Sequence, residues 1–345
     1  MSLAVHQDRE DIFVGGEFPR FKARYWLNRV VENFIGQGSF QSHGSERIQC
    51  SFLKMPSMEV ASQLHAILLQ FNDDSVLRSY GTVSAERSSW LVVEPVEQSL
   101  AHFKLNNKSW DGVSIADKYL SIVQDLLSAR DSLLSHKLQH GKFEAGDILI
   151  STSKYQDVHV KLFKLTVHGS QEKTLENFSS VIKEIIGAEE GNVEMTHLLN
   201  EVRGSTWTIR RKSRYHPFLQ SAPGRVKFPL KVDLAARYRD STLRDIKTDV
   251  NAAFKPGYKW HHLVNNHPIL HTAFTKARLT NKDKYPDTGF GNFKFARNHG
   301  LHTNDHRPQN VPARPYGVVN TELTKAFPNL LNCVYDFATV EEIGH

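Results

Sequence analysis

The sequence predicts an α+β protein with two domains. One strand-like stretch ends at Lys54, and two more cover 75–83 and 90–94. Residues 58–71 and 115–138 instead have the apolar spacing of helices. The length of 345 residues gives room for two hydrophobic cores. We therefore expect a mixed strand-and-helix domain in the first part of the chain.

The net positive charge of the chain comes from its C-terminal part. Residues 216–345 contain 18 lysines and arginines against 11 aspartates and glutamates, whereas residues 1–215 contain 25 against 26. A basic domain attached to a near-neutral one is typical of proteins that bind polyanions such as nucleic acid. An ordinary solvated surface accounts for the charge equally well.

The composition indicates a reducing compartment. Cys50 and Cys333 are the two cysteines, too few for a disulfide framework. The first ten residues, MSLAVHQDRE, have no basic stretch leading into an apolar run, so no secretory signal is predicted. No segment approaches the roughly twenty apolar residues that span a bilayer. We expect a soluble protein without membrane contact, located in the cytoplasm or, alternatively, in the nucleus.

Short motifs between residues 30 and 215 follow the order found in protein kinases. Gly36–Phe40 (GQGSF) resembles a glycine-rich phosphate loop, and His140–Ile150 (HGKFEAGDILI) resembles the catalytic loop. Val160–Thr166 lies where the strand before the magnesium-binding motif is expected. Each motif is weak by itself, and their order and spacing carry the resemblance. It implies a two-lobed kinase-like domain over 30–215, preceded by a segment, 1–29, to which no role is assigned.

The residues that perform phosphoryl transfer are replaced in this segment. Lys142 and Lys164 stand where the resemblance places the two catalytic aspartates, and Asp147 replaces the usual asparagine. Gln63 matches the position of the helix glutamate. Because a lysine neither binds magnesium nor accepts a proton at neutral pH, we interpret this part as a pseudokinase. Lys54 is its candidate contact for ATP or ADP, with an empty cleft as the alternative.

The chemically richest stretch lies near the C-terminus. It is the run Arg297-Asn298-His299-Gly300-Leu301-His302, with Tyr285 twelve residues before the arginine. A cation, an amide, an imidazole and a phenol thus lie close together in sequence. These groups can bind a phosphodiester, deprotonate a ribose 2′-hydroxyl and protonate a leaving 5′-oxygen without a metal.

Residues 216–338 resemble the kinase-extension nuclease (KEN) domain. This all-α domain occurs in the endoplasmic-reticulum stress-sensing kinase–endoribonuclease and in the 2′,5′-oligoadenylate-dependent ribonuclease. The matching segments are Tyr215–Leu219 (YHPFL), Tyr285–Asn298, His302 and Phe327–Leu331 (FPNLL). The resemblance also implies helices over 225–237 and 243–254 and a tail at 339–345. Trp260 matches a tryptophan of the family, and we interpret it as a core residue, with base stacking as the alternative.

The resemblance implies a metal-independent endoribonuclease that leaves a 2′,3′-cyclic phosphate. His302 is the candidate general acid, and Tyr285 the base or a positioner of the 2′-hydroxyl. Arg297 is expected to hold the scissile phosphate, and Asn298 to donate to a phosphate oxygen or fix the loop. No cofactor is required, and DNA, which lacks the nucleophile, should not be cut. A homodimer on the pseudokinase scaffold is also implied.

One departure from the family favours a different function. Where the family has an acidic residue followed by two leucines, this chain has Gly291-Asn292-Phe293. A glycine and an asparagine weaken a helix start, and a lost carboxylate removes a support for the arginine. The alternative is therefore a non-cleaving regulatory pseudoenzyme that binds RNA or dimerises with an active relative.

Further histidines and lysines occur before and around this run. The mixed spacing of the nearby histidines lacks the paired cysteine or acidic ligands of a zinc site, so no metal site is predicted. Lys282 and Lys284 are candidates for holding RNA, and a solvated loop accounts for them equally well. The proline-rich stretch 303–320 predicts a loop. The histidines in question are His261, His262, His267 and His271.

Overall fold

The chain packs as two compact units. The first comprises residues 1–108 and 121–185, and the second comprises 109–120 and 186–345. The computed structural model describes residues 11–12, 23–32, 34–42, 45–71, 73–85, 87–109, 115–136, 139–140, 143–152, 157–166, 170–187, 192–204, 206–238, 246–281, 283–304, 312–339 and 343. Lys142 and Lys282 lie outside these residues. The predicted α+β class is confirmed, because strands and helices share the first unit.

An antiparallel six-stranded sheet forms the N-terminal half of the first unit, in the order β1-β2-β3-β4-β6-β5. Opposed side chains on β4 and β6, among them Phe52 and Val92, build a small buried cluster with Cys50 and Val83. The helix predicted at 58–71 is α1, which begins at an N-cap serine, Ser57. The bounds are β1 Asp11–Ile12, β2 Ala23–Glu32, β3 Ile35–Ser42, β4 Ile48–Met55, α1 Met58–Leu68, β5 Ser79–Ala85 and β6 Ser88–Val93.

The glycine pair expected in a phosphate loop lies inside strand β3. Gly36 pairs with Val30 on one side and Phe52 on the other, so the segment is hydrogen-bonded along both edges. The prediction of a phosphate loop at Gly36–Phe40 is therefore wrong. A Cβ atom at Gly36 would lie 2.4 Å from Leu27 Cδ1. Here the glycine allows close packing between strands.

The remaining elements before residue 187 include the helix predicted at 115–138, which is α3. Two further small sheets have the orders β10-β9-β7 and β11-β8. The bounds are β7 Gln98–Ser99, α2 Leu100–Asn106, α3 Asp117–Ser135, β8 Gln139–His140, β9 Ile148–Thr152, β10 Val158–Leu162, β11 Leu165–Thr166 and α4 Gln171–Ile186.

The later part of the chain is helical, and its core is aromatic. Trp260 is fully buried, with ring centroids 5.1 Å from Phe274 and 5.2 Å from Phe295, and its Nε1 donates to the Pro286 carbonyl at 2.9 Å. This confirms Trp260 as a core residue. The bounds are α5 Val193–Val202, α6 Trp207–Ser213, α7 Ala222–Tyr238, α8 Ile246–Ala253, α9 Pro268–Thr280, α10 Gly289–His302, α11 Tyr316–Ala326 and α12 Leu330–Phe337.

The helices predicted at 225–237 and 243–254 correspond to α7 and α8. The loop predicted at 303–320 is wrong at its end, since α11 begins at Tyr316 directly after Pro315. A proline does not prevent a helix from starting there, because the first helical residues need no N–H partner. The rest of that prediction lies partly outside the described residues.

Helix α5 packs with the C-terminal helices through a buried charge pair. Arg225 of α7 donates from Nη2 to Glu194 of α5 at 2.9 Å and from Nε to Asn320 of α11 at 2.9 Å. Because both charged groups are buried, removing either would leave an uncompensated charge. The sequence-based domain limits at 215 and 216 stay predictions. None of the described helices is long and apolar enough to cross a membrane.

Candidate active site

The start of helix α10 is pressed against the loop that carries Tyr285. Thr288 is the N-cap and accepts from the Gly291 N–H at 3.3 Å. A Cβ atom at Gly291 would lie only 1.7 Å from the Pro286 carbonyl oxygen. The absence of a side chain at Gly291 therefore lets the loop and the helix touch. The family's acidic residue would not fit here without moving the loop.

The loop is held in place by polar contacts on its other side. The Asp287 carboxylate accepts from the backbone N–H groups of Trp260 at 2.7 Å and His261 at 3.0 Å. Burial alone would raise the pKa of Asp287, but these two hydrogen bonds and the nearby His261 and Lys259 lower it below its ordinary value. The His261 ring donates from Nε2 to the Tyr285 carbonyl at 2.9 Å. Both contacts fix the backbone beside Tyr285.

Asn298 joins the tyrosine to the helix. Its amide donates from Nδ2 to Tyr285 Oη at 3.1 Å. Tyr285 is only 4 % exposed, so its ring is held in place by the surrounding residues. Because the phenol oxygen accepts from Asn298, its own proton is directed towards another acceptor. The hydroxyl of Tyr285 can thus donate to a group bound in front of it.

Arg297 fixes the orientation of the Asn298 amide. Its Nε and Nη2 both donate to Asn298 Oδ1, at 3.0 and 2.9 Å. Its Nη1 donates to Asp233 Oδ2 of helix α7 at 2.5 Å. Asp233 is 3 % exposed and also accepts from Arg237 Nε at 3.1 Å. A continuous relay therefore runs from Asp233 through Arg297 and Asn298 to Tyr285, which we call the tyrosine relay.

The tyrosine relay opens onto a cleft of about 450 Å³, which we call the first cleft. His302 lies one helical turn after Asn298 on α10, so the two residues share a face. The cleft is lined by Ala273, Lys276, Ala277, Thr280, Lys284, Tyr285, Phe295, Asn298, His299 and His302. The structure thus brings Tyr285, Asn298 and His302 together. Arg297 stands behind Asn298 and is not among these lining residues.

Two lysines, Lys276 and Lys284, line the first cleft. Lys284 Nζ lies 5.7 Å from the centroid of the Tyr285 ring. The pKa of Lys294 on α10 is lowered by burial and then by the positive charges of Arg297, Arg237 and Lys284. Lys294, Arg297 and Arg237 are not among the residues that line the cleft, whereas Lys276 and Lys284 are. These two lysines make the cleft suited to a phosphate group.

His299 is the buried member of the cleft wall. It is 9 % exposed, its ring stacks on Phe295 with centroids 5.8 Å apart, and its Nε2 has no hydrogen-bond partner among the described residues. Burial, together with the charge of Arg314, lowers the pKa of His299 to about 4. The ring is consequently neutral at physiological pH and leaves His302 as the exposed imidazole of the cleft.

The buried His299 should make the protein acid-sensitive. Its pKa is lowered from the ordinary 6.5 to about 4 in the folded protein. Between pH 6.5 and about 4, His299 is therefore protonated in the unfolded chain and neutral in the native state. Stability is therefore full above pH 6.5 and is lost as the pH falls towards 4, by at most about 3 kcal/mol. We expect the free energy of unfolding, measured by urea titration across this window, to depend less on pH in His299→Gln. Parallel pH curves for the two proteins would contradict this.

No known protein-family description matches this chain. No curated protein matches it either. The geometry described above is therefore the basis for assigning a function.

The nucleotide-binding prediction involves the first unit. Lys54 is exposed on β4 and is not among the residues that line the nearby cleft of about 220 Å³, which include Gln37, Cys50 and Ser51. In that cleft the N–H and carbonyl groups of Val96 are bonded to the Ser51 hydroxyl, at 2.9 and 3.1 Å. These backbone groups are thus already satisfied by the protein.

Lys164 and Asp147, which stand at positions where the kinase resemblance expects magnesium ligands, contact each other. Lys164 Nζ forms an ion pair with Asp147 Oδ1. An ammonium group therefore occupies the carboxylate that a divalent cation would need. Within the described residues, no cluster of three or more histidine, cysteine or acidic side chains could hold a metal ion.

Sequence reasoning missed Asp233. Its partner Arg297 is 64 residues away, so local spacing could not reveal the pair. A signal was nevertheless present, because Asp233 follows the buried Val232 and precedes the buried Ala236 on the inward side of α7. A carboxylate at such a position requires a buried cation as its partner. The burial of His299, whose ring stacks on Phe295, was likewise not predicted from its place in the run.

Proposed function

We propose that this protein is a metal-independent endoribonuclease with a KEN-like helical domain and a kinase-like domain that has lost phosphoryl transfer. The observation that carries the proposal is the convergence of Tyr285, Asn298 and His302 on one cationic cleft. Two lysines, Lys276 and Lys284, line the same cleft and can neutralise a phosphodiester. The Lys164–Asp147 ion pair supports the loss of kinase chemistry.

We assign a distinct step to each residue. The Tyr285 oxygen, oriented by Asn298, hydrogen-bonds the ribose 2′-hydroxyl. The 2′-hydroxyl proton passes to solvent water as the 2′-oxygen attacks the adjacent phosphorus and the bond to the 5′-oxygen breaks. His302 protonates the departing 5′-oxygen, which leaves a 2′,3′-cyclic phosphate and a 5′-hydroxyl. Lys276 and Lys284 stabilise the charge on the phosphorane. Arg297 acts through Asn298 as a positioning residue, in place of the direct phosphate contact expected from the sequence.

A stem-loop RNA incubated with the purified protein in EDTA tests this function. We expect cleavage to products with cyclic-phosphate ends, at a specific activity that rises with protein concentration if a homodimer is the active form. The matched control is the same RNA with a single 2′-deoxyribose at the cleaved position, which removes the nucleophile and should block cutting there. Cleavage of the deoxy substrate, or inhibition by EDTA, would contradict the proposed mechanism.

A non-cleaving RNA-binding regulator is the second candidate. It is favoured by the engagement of Arg297 with Asp233 and Asn298, which holds its guanidinium away from the lining of the first cleft. RNA that is bound with the expected salt dependence but remains intact at every protein concentration would support this candidate over the nuclease.

A further inference from the structure

A second, open cleft of about 530 Å³ lies on another face of helix α9. Ala273, Lys276, Ala277 and Thr280 of α9 line the first cleft, whereas His271, Phe274, Thr275 and Arg278 of the same helix line the second. Residues two apart on a helix point to nearly opposite sides, so Lys276 and Arg278 serve different clefts. The full lining of the second cleft is His261, His262, Asn265, His271, Phe274, Thr275, Arg278 and Leu279.

The second cleft is lined by hydrogen-bond donors and carries a positive charge. Arg278 lies with its guanidinium carbon 5.4 Å from the centroid of the Phe274 ring, which anchors it on the cleft wall. Imidazoles, an amide and a hydroxyl complete the polar lining, and none of the described lining residues is acidic. Guanidinium groups with neighbouring N–H and O–H donors recognise phosphate oxygens.

The two clefts share a wall. His261 lines the second cleft, and its Nε2 donates to the carbonyl of Tyr285 at 2.9 Å, while the Tyr285 side chain lines the first cleft. The Asp287 carboxylate lies 3.9 Å from His261 Nδ1, and it accepts from two backbone N–H groups. A strand bound at Tyr285 therefore has a donor-lined, basic path on the other side of α9.

We propose that the second cleft binds the part of the RNA strand next to the cleaved phosphodiester, through contacts of Arg278 and His271 with flanking phosphates. The proposal rests on the function proposed for the first cleft. It defines the substrate class as an RNA with several unpaired nucleotides beside the cleavage site, because both clefts must be filled by one strand. It also gives a role in phosphate binding to His271, one of the histidines whose spacing does not fit a metal site.

The test measures binding by fluorescence anisotropy and does not depend on cleavage. The probes are a labelled 12-nucleotide RNA and a labelled tetranucleotide RNA, each with 2′-deoxyribose at the cleaved position. Arg278→Gln combined with His271→Gln should weaken binding of the 12-nucleotide probe about 10-fold and reduce its salt dependence by about one phosphate contact. Binding of the tetranucleotide, which fills the first cleft alone, should not change.

The matched control is Lys247→Gln combined with Lys325→Gln, which removes two exposed cations that line neither cleft. We expect this control to leave the preference for the longer probe intact. Equal losses for both probes, or no loss for either, would overturn the proposal. If the longer RNA binds through the second cleft yet is never cut, the proposed nuclease function fails and this inference stands. If the double variant cuts long RNA with wild-type KM, this inference alone fails.

Discussion

Replacing His302 by alanine should slow RNA cleavage by about 10²- to 10⁴-fold, the usual contribution of a general acid. His302 is exposed at the end of α10 and lines the first cleft with Tyr285 and Asn298. Its removal therefore costs little packing, and the melting temperature should stay close to that of the wild type. The rate is measured in single turnover with RNA in EDTA, so that binding and product release do not mask the chemical step.

A sulfur-substituted substrate separates proton donation from other roles of His302. When the 5′-oxygen of the leaving group is replaced by sulfur, the leaving thiolate needs no protonation. His302→Ala should then cleave this RNA at nearly the wild-type rate. An equal defect on the oxygen and sulfur substrates would assign His302 to phosphate binding and remove it as the acid.

Replacing Gly291 by alanine should both destabilise the protein and slow cleavage. The new Cβ atom would lie 1.7 Å from the Pro286 oxygen, so the loop must move by more than an ångström. That shift breaks the hydrogen bond from Trp260 Nε1 and draws Tyr285 away from Asn298. We expect a loss of about 2 kcal/mol in the free energy of unfolding and a cleavage rate lower by about 100-fold.

Gly317 supplies the control for this substitution. It also lies in a helix, α11, but a Cβ atom there would meet nothing within 4 Å. Gly317→Ala should leave cleavage unchanged and raise stability by about 0.5–1 kcal/mol through helix propensity. The role of Gly291 as a contact residue would be wrong if Gly291→Ala behaved like Gly317→Ala. Gly291→Asp, which introduces the acidic residue type expected from the resemblance to the KEN domain, should be at least as damaging as Gly291→Ala.

Local patterns in the sequence were sufficient for two helices of the first part of the chain. Helical apolar spacing located α1 and α3, whereas α7 and α8 were expected from the resemblance to the KEN domain. Gly36–Phe40 were misread because a G-x-G pattern fits both a loop and a tightly packed strand. The pairing of β3 with strands on both sides, which is a tertiary property, decides between them.

The sequence predicted the candidate catalytic residues that line the site but not the residue that holds them in place. Tyr285, Asn298 and His302 come from one short segment, so their meeting could be expected from spacing. The partner of Arg297 comes from α7 and could not. The Gly291 position was expected to weaken the site because a carboxylate is missing, whereas in the structure Asp233 provides a carboxylate from another helix and Gly291 provides the space.

The tyrosine relay has a consequence for inhibition. Helix α7 contributes nothing to the lining of the first cleft, yet Asp233 determines through Arg297 and Asn298 how Tyr285 is presented. A small molecule that binds between α7 and α10 and breaks the contact of Asp233 with Arg297 would reorient the Asn298 amide. It would inhibit the activity proposed for the first cleft without entering the cleft. Such a compound would not have to compete with a polyanion for a cationic surface, and it could be uncharged and therefore able to cross membranes.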